Sequence, residues 1–480
     1  MAKSLKVNFV FNFANTIFGL LFPLITFPYI SRVLLADGIG LVQFFQSIIN
    51  YIALFCALGI PLYAVKEIAR VKNNIDKRNQ TLVEILILYL SLTFIGYLVA
   101  IIVLFSVPEI VQNWEIFFLL STHLLLVALG AEWFYQGIEN FKYISIRSLS
   151  IKFMMLIALF VFVHDKGDLW IYALLLVLAE AGNNLFNFIH LRKYLVFSTI
   201  DWKSLNIKRH IRPALKMLVL NLIISIYVNL DSVMLGFLVG TTSVGYYTAA
   251  SRVTRAVCGI SSALGGVLLP RLSHCFAEGD YEKFQQISNQ TLSFIFYCSM
   301  PIAFGLFLTS PQLMIVLCGD KFSPAIVTLQ IFSPLVLFLG VSSLLGTRIL
   351  YAQNKENIVI KSTCIGAGLN FILNMLLIPA YHQNGAAFAS TIAEFSVTAS
   401  MIFFSWNFCA FTKLYKDVLL SIIFSIIMAV GILVVQLFDL PFVYGFILEV
   451  LTGIVVYMIC LVLTKNPIVL NVKYLVKNRL

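Results

Sequence analysis

Read for its apolar positions alone, the chain is a succession of hydrophobic runs separated by short polar stretches. Helices of about 20 apolar residues are long enough to cross the hydrocarbon core of a bilayer. The runs predict spans over 9–35, 41–65, 82–107, 116–138, 144–163, 169–190, 214–238, 244–270, 288–310, 325–350, 358–379, 385–410, 417–437 and 442–463. The expected fold is therefore an all-α polytopic membrane protein of about fourteen transmembrane helices. Composition agrees with lipid as the solvent: 60% of the residues are hydrophobic and 11% charged, against roughly 45–50% and about 25% in soluble domains.

Charge adds orientation. When the loops are assigned alternately to two sides, all but five of the 33 basic residues fall on one side, the exceptions being Arg32, Lys166, Arg252, Arg255 and Lys321. Basic loops stay cytoplasmic, so both termini are expected in the cytoplasm. A span missed in mid-chain would reverse every later loop and destroy this asymmetry. The first run carries Pro23 and Pro28 and no small-residue cleavage site, so it reads as an uncleaved span expected to bend. Trp114 and Trp170 near outer ends, with Trp133 and Trp406 near inner ends, suit interface anchors. The outward loops are short, the longest near 311–324. The net charge of +11 is spent on topology, so no nucleic acid is expected as a partner.

Three pairs of segments suggest an internal repeat. Tyr135-Gln-Gly-Ile-Glu-Asn140 follows the fourth span and Tyr351-Ala-Gln-Asn-Lys-Glu-Asn357 the tenth; Ala179-Glu180 and Ala393-Glu394 lie in the sixth and twelfth. Asn8, Asn12, Thr16 and Gly19 of the first span correspond in spacing to Asn221, Ser225, Asn229 and Ser232 of the seventh. Six intervening spans preserve orientation, so the repeats are parallel. The expected domains are a six-helix lobe at 1–213, a second at 214–411, and two appended helices with a cytoplasmic tail at 412–480. Two pseudo-symmetric lobes would enclose a central cavity, an arrangement typical of transporters.

The segments Phe27-Pro-Tyr-Ile-Ser-Arg-Val-Leu34 with Gly38-Ile-Gly40, Glu132-Trp-Phe-Tyr-Gln-Gly-Ile-Glu139 with Tyr143-Ile-Ser-Ile-Arg147, and Leu230-Asp-Ser-Val-Met-Leu-Gly236 with Val244-Gly-Tyr-Tyr-Thr-Ala-Ala250 resemble the polysaccharide transport family that includes the O-antigen flippases. The resemblance covers most of the chain. It implies membership of the multidrug, oligosaccharidyl-lipid and polysaccharide exporter superfamily. It also implies translocation of undecaprenyl-diphosphate-linked oligosaccharide from the cytoplasmic to the periplasmic leaflet of a bacterial inner membrane, for O-antigen, capsule or related polymer. Expected partners are the lipid-linked oligosaccharide, membrane lipids and polysaccharide polymerase machinery. The two final helices resemble the arrangement of the lipid II flippases.

Charge at the bilayer centre costs between roughly 2.5 and more than 10 kcal/mol, so such residues should face protein or water. Arg252 and Arg255, one turn apart on the eighth span, are the first candidates for a diphosphate, which suits forked guanidinium groups. Arg32 could assist them or could snorkel to the outer interface. Pairing of the two arginines with Asp231 and Glu180 as structural glue is the competing reading. Glu180 and Glu394 hold equivalent places in the two repeats and could couple to protons or sodium, or could make interhelical hydrogen bonds. Asn8, Asn12, Asn221, Ser225 and Asn229 could bond sugar hydroxyls or other helices.

No metal or cofactor is expected. The eight cysteines are scattered singly, the six histidines lack metal-ligand spacing, and no phosphate-loop signature of the Gly-x-x-x-x-Gly-Lys-Ser/Thr type occurs. An ion-coupled multidrug antiporter of the same superfamily is the alternative function. A membrane glycosyltransferase or polymerase would need catalytic acids or bases in a sizeable extramembrane loop, which the short outer loops do not provide.

Overall fold

Polar cap residues in the basic loops set where the long helices begin. Asn74 accepts the Lys77 backbone N–H at 3.0 Å and Asp280 accepts that of Lys283 at 3.1 Å, each satisfying one of the donors that a helix start leaves without a partner. The helices that follow are apolar around most of their circumference. The computed structural model describes residues 2–196, 200–263, 268–406, 414–438 and 440–464, and among these there is no β-strand. Nine of the described helices are long and apolar enough to cross a membrane, ten if one bent pair counts as a span. Their outward faces carry Phe94, Phe105, Leu376 and Phe403, each at least 66% exposed, and such large apolar groups find a favourable solvent only in lipid.

Backbone contacts divide the chain into two units, Met1–Gly245 and Tyr246–Leu480. The first contains α1 (Ala2–Ala57), α2 (Ile60–Val71), α3 (Ile75–Ser106), α4 (Pro108–Gln112), α5 (Trp114–Gly130), α6 (Glu132–Gly137), α7 (Phe141–Phe162), α8 (Leu169–Ala181), α9 (Asn183–Leu191) and α10 (Lys208–Leu238). The boundary falls within α11 (Thr241–Ala263). The second unit continues with α12 (Leu268–Ala277), α13 (Tyr281–Leu308), α14 (Ser310–Cys318), α15 (Ala325–Phe332), α16 (Leu335–Leu344), α17 (Glu356–Ser405), α18 (Tyr415–Gln436) and α19 (Phe442–Leu463).

In the first unit α1 packs against α3, α5, α7 and α10. Phe44 and Phe45 of α1 are fully buried, and Phe45 meets Phe117 of α5 edge to face at 5.7 Å. Glycine permits the closest approaches: a Cβ on Gly40 would overlap the Thr241 carbonyl, and one on Gly245 would overlap that of Ala36. These are glycines of the sequence segments quoted above, and their role is to let backbone touch backbone. In the second unit α13 packs on α16 and α18, and α16 on α17. The appended pair, α18 and α19, is held by Phe424, Met428 and Ile432 against Tyr297, Tyr457 and Leu461.

Several expected boundaries move. The first two spans run together as α1, interrupted where Leu35 takes φ 56° and ψ −175°, while the backbone stays helical through Pro23 and Pro28. The second span ends earlier than expected, at Ala57, because Leu58 and Gly59 turn through positive φ (44° and 73°). The residues beyond form α2, which buries Ile60, Tyr63, Ala64 and Ile68 on one face. The sixth span is α8 and α9, bent by 45°. The eleventh and twelfth join as α17 across His382, at φ 52°. The stretch expected as the longest outward loop, 311–324, is mostly α14, an apolar helix whose short length hides it from a search for 20-residue runs. The repeat boundary at 213–214 and the contact boundary differ by one helix, because α10 packs on α1 and α2.

Candidate substrate and ion sites

In the N-terminal unit, Arg32 is exposed and donates from Nη1 to the Pro28 carbonyl at 3.0 Å, one turn back on its own helix. Glu180, near the end of α8, is exposed and accepts from Gln46 Nε2 at 2.9 Å. The His123 imidazole and the Lys152 ammonium lie within its electrostatic reach. Asp231 of α10 is buried at 4% exposure, with the Tyr51 phenol nearby, and Asn229 is half-buried. The side chains of Asn8, Asn12, Asn221 and Ser225 lie outside those described.

In the C-terminal unit, Arg252 is half-buried and Arg255 exposed, both on α11. Arg255 enters no ion pair among the described residues. The charges of Arg255 and Glu394 both bear on the Cys258 thiol, which places the three groups in one neighbourhood. Glu394 is buried at 4% exposure and its Oε1 accepts the Ser342 hydroxyl at 2.5 Å. The two glutamates that sequence spacing treats as equivalent therefore differ: Glu180 is exposed beside an amide, and Glu394 is sealed against a hydroxyl.

Four polar clusters escape the sequence reading. At the start of α10, Glu84 accepts from the Asn206 backbone N–H at 2.8 Å, from Arg209 Nη2 at 2.6 Å and from His210 Nε2 at 2.8 Å. The Tyr63 hydroxyl meets His210 Nδ1 at 2.7 Å. A carboxylate accepts only, so Nε2 carries the proton, Nδ1 accepts from Tyr63, and the 3.2 Å contact of Arg209 Nε with Nε2 is not a hydrogen bond. His210 precedes the expected span by four residues. Burial pushes its pKa below the usual imidazole value, with the adjacent Arg209 charge acting the same way and Glu84 opposing.

The other three lie in the C-terminal unit. Asn374 Nδ2 donates to Asn370 Oδ1 at 3.1 Å, Asn370 Nδ2 reaches Ser390 at 3.4 Å, and Ser390 meets the Tyr247 hydroxyl at 3.3 Å. Asp417 accepts from Ser293 at 2.5 Å and from Tyr297 at 3.2 Å, tying α18 to α13. Glu449 of α19 accepts from Gln312 of α14 at 2.9 Å. Each cluster has a polar residue as its signal in the sequence, but at least one partner lies on another helix far along the chain. Among the described residues no group of His, Cys, Asp and Glu could hold a metal ion.

A run of spans carrying isolated polar and charged side chains is an architecture shared by many carriers, and comparison with known proteins narrows it. A family model described as "Polysaccharide biosynthesis protein" matches residues 5–276, and a MatE model matches 217–376. The chain is 24% identical over 390 residues to a putative O-antigen transporter of Escherichia coli K12, covering 81% of this chain and 93% of that protein. It is also 24% identical over 200 residues to a probable low-salt glycan biosynthesis flippase, Agl15, of Haloferax volcanii, covering 42% of each. Among solved structures, the lipid II flippase MurJ in an inward closed conformation superposes with a TM-score of 0.77 at 16% identity, covering 96% of this chain and 100% of that one. An inward-facing MATE-family multidrug resistance transporter gives 0.64 at 14% identity, covering 82% and 95%. These structures share the fold, and because the first model takes in more than half of the sequence, the chain belongs to the polysaccharide biosynthesis protein family.

Proposed function

We propose that this protein is a flippase that moves undecaprenyl-diphosphate-linked oligosaccharide units across the bacterial inner membrane by alternating access, for assembly of O-antigen, capsule or a related polysaccharide. The observation that carries this reading is the family match over residues 5–276, together with the likeness to an O-antigen transporter along most of both chains. The extent of the structural likeness supports it, since the lipid flippase matches 96% of the chain and the multidrug transporter 82%. The reading has fourteen spans, both termini in the cytoplasm, six-helix lobes at 1–213 and 214–411, and an appended pair at 412–480. Its substrate is an amphiphile with a charged linkage, and polymerase machinery is the expected consumer of the product.

In this reading Arg252 and Arg255 bind the diphosphate, with Arg32 as an added cation. Arginine suits the role because its guanidinium stays charged at any physiological pH and offers paired donors to phosphate oxygens. Glu180, Glu394 and Asp231 are the candidates for ion coupling, and Asn229, with Asn8, Asn12, Asn221 and Ser225, for sugar hydroxyls. A second reading, an ion-coupled multidrug antiporter, is favoured by the MatE match over 217–376.

The test is reconstitution of the purified protein in liposomes with a lipid-diphosphate oligosaccharide, scoring glycan that becomes accessible to an impermeant sugar-modifying enzyme. Protein-dependent crossing of the glycan is expected. Its absence, with efflux of drug-sized cations instead, would select the antiporter. An Arg252→Ala, Arg255→Ala double variant is expected to lower crossing by about tenfold or more, since a charge-assisted hydrogen bond contributes roughly 1.5–3 kcal/mol. Full-rate transport by a normally inserted double variant would remove the two arginines from the site.

A further inference from the structure

Glu449 plays no part in the transport reading, yet it sits well inside a span. At 1.5 Å per residue it lies about 10 Å along α19 from Phe442 and about 21 Å from Leu463, and it is only 3% exposed. None of the ion pairs among the described residues includes it. Its Oε1 accepts from Gln312 Nε2 at 2.9 Å. Gln436, at the end of α18, approaches the carboxyl as a second hydrogen-bond partner, and its amide nitrogen also donates to the Leu308 carbonyl at 3.2 Å.

Two buried oxygen atoms remain without a hydrogen-bond partner, Oε2 of Glu449 and Oε1 of Gln312. If the carboxyl is ionised, both are acceptors and neither can serve the other. A buried polar atom left so is unfavourable, and native proteins seldom tolerate it. A single proton on Oε2 turns that atom into a donor for Gln312 Oε1. The acid and the amide then close a pair with two parallel hydrogen bonds, and no charge is left inside the span.

Among the described residues, the helices packed on α19 carry no competing charge at this depth. α13 carries Glu282 and Lys283 about 37 Å from the Leu308 end, and α18 carries Lys416 and Asp417 about 29 Å from Gln436, by the same helical rise. The titratable group of α14 is the Cys318 thiol, and α19 itself adds Tyr444, Tyr457 and Cys460. Of these, Tyr457 is engaged with the Tyr297 carbonyl at 2.8 Å.

We propose that Glu449 is a proton-binding site, occupied when α19 is docked on α14, with Gln312 as the residue that positions the proton. The proton comes from the aqueous phase, converts the carboxylate to a neutral acid and needs no other reactant. Its loss leaves a carboxylate oxygen facing an amide oxygen, which weakens the attachment of the appended helix pair to the rest of the C-terminal unit. The proposal concerns the protonation state of one side chain and does not depend on which substrate is transported.

Infrared spectroscopy of the full-length protein in lipid nanodiscs at pH 7 tests it, because a protonated carboxylic acid absorbs well apart from carboxylates. The expected result is an acid band present in the wild type and missing from Glu449→Gln. Gln312→Leu should keep the band and move it to higher frequency, because the hydrogen bond to the amide is lost. Thermal unfolding gives a second readout. The folded acid holds a proton that the unfolded one, with a pKa of about 4.3, releases, so above that pH the stability of the wild type falls relative to that of Glu449→Gln as pH rises. Superimposable wild-type and Glu449→Gln spectra, or a carboxylate band that responds to sodium, would overturn the proposal. Should Glu449→Gln fail to insert, Gln312→Leu decides alone: a shifted acid band upholds the site and an unchanged spectrum overturns it.

Discussion

Glu84 and Glu449 are both buried glutamates on long apolar helices, and their surroundings could hardly differ more. Glu84 lies near the start of α3, where the basic loops supply Arg209, His210 and the Asn206 backbone N–H within 2.8 Å. Glu449 lies deep in α19, where its neighbours are the amides of Gln312 and Gln436. The first can keep its charge because a cation and an amide dipole compensate it. The second has neutral amides for neighbours and no cation, and in our proposal it sheds its charge. Distance from the basic loops thus separates the two clusters, since most of the lysines and arginines lie in those loops.

The contrast can be broken most sharply at Glu84 itself. Glu84→Ala leaves His210 buried with no acceptor and Arg209 without its partner, and truncating one member of a buried pair costs about 3–5 kcal/mol. A large drop in the detergent unfolding midpoint is expected, with α10 and α2 losing their shared anchor. Arg209→Ala should cost less, about 1–2 kcal/mol, because the guanidinium is half exposed and Glu84 keeps two other donors. Similar losses from both variants would mean that the pair is a surface contact rather than a buried anchor.

Acidification probes the same cluster through His210. Burial lowers its pKa, so the folded form binds fewer protons than the unfolded form below about pH 6.5. The stability contribution is complete above that value and is lost progressively as the pH falls below it toward the lowered value of the folded imidazole. A His210→Gln variant should show a flatter dependence between about pH 5 and 7, and an unchanged curve would place the acid sensitivity elsewhere. Tyr63→Phe removes one neutral hydrogen bond at 2.7 Å and should cost about 1 kcal/mol. The smallest effect is expected from Glu449→Gln, which keeps the shape and can pair amide to amide. At about pH 5, where unfolding releases little of the Glu449 proton, a midpoint within error of wild type, set against a clear loss in Glu84→Gln, would sharpen the comparison.

Much of the architecture was legible because lipid imposes a strong rule. Every span must satisfy its own backbone, so a helix of sufficient length shows as an apolar run, and nine of the described helices, or ten with one bent pair, are long and apolar enough to cross a membrane. What the runs concealed were the breaks. Leu35 and His382 carry non-glycine positive φ within stretches that read as continuous helix or short loop. α14 is too short to register as a span, and it turns out to carry Gln312. Among the candidate residues, Glu180 and Glu394 were visible as charges but not in their different burial, which depends on Gln46 and Ser342, both distant in sequence.

The sequence by itself determined that the protein lives in a membrane, which loops are basic, and which segments carry the family resemblance. Those properties are local: hydrophobic length and charge are read residue by residue. Only the tertiary structure decided which polar residues find partners, because Glu84 meets His210 and Glu449 meets Gln312 across more than a hundred residues of chain. In a low-dielectric interior the partner, and not the residue type, sets whether a carboxyl is charged, neutral or intolerable.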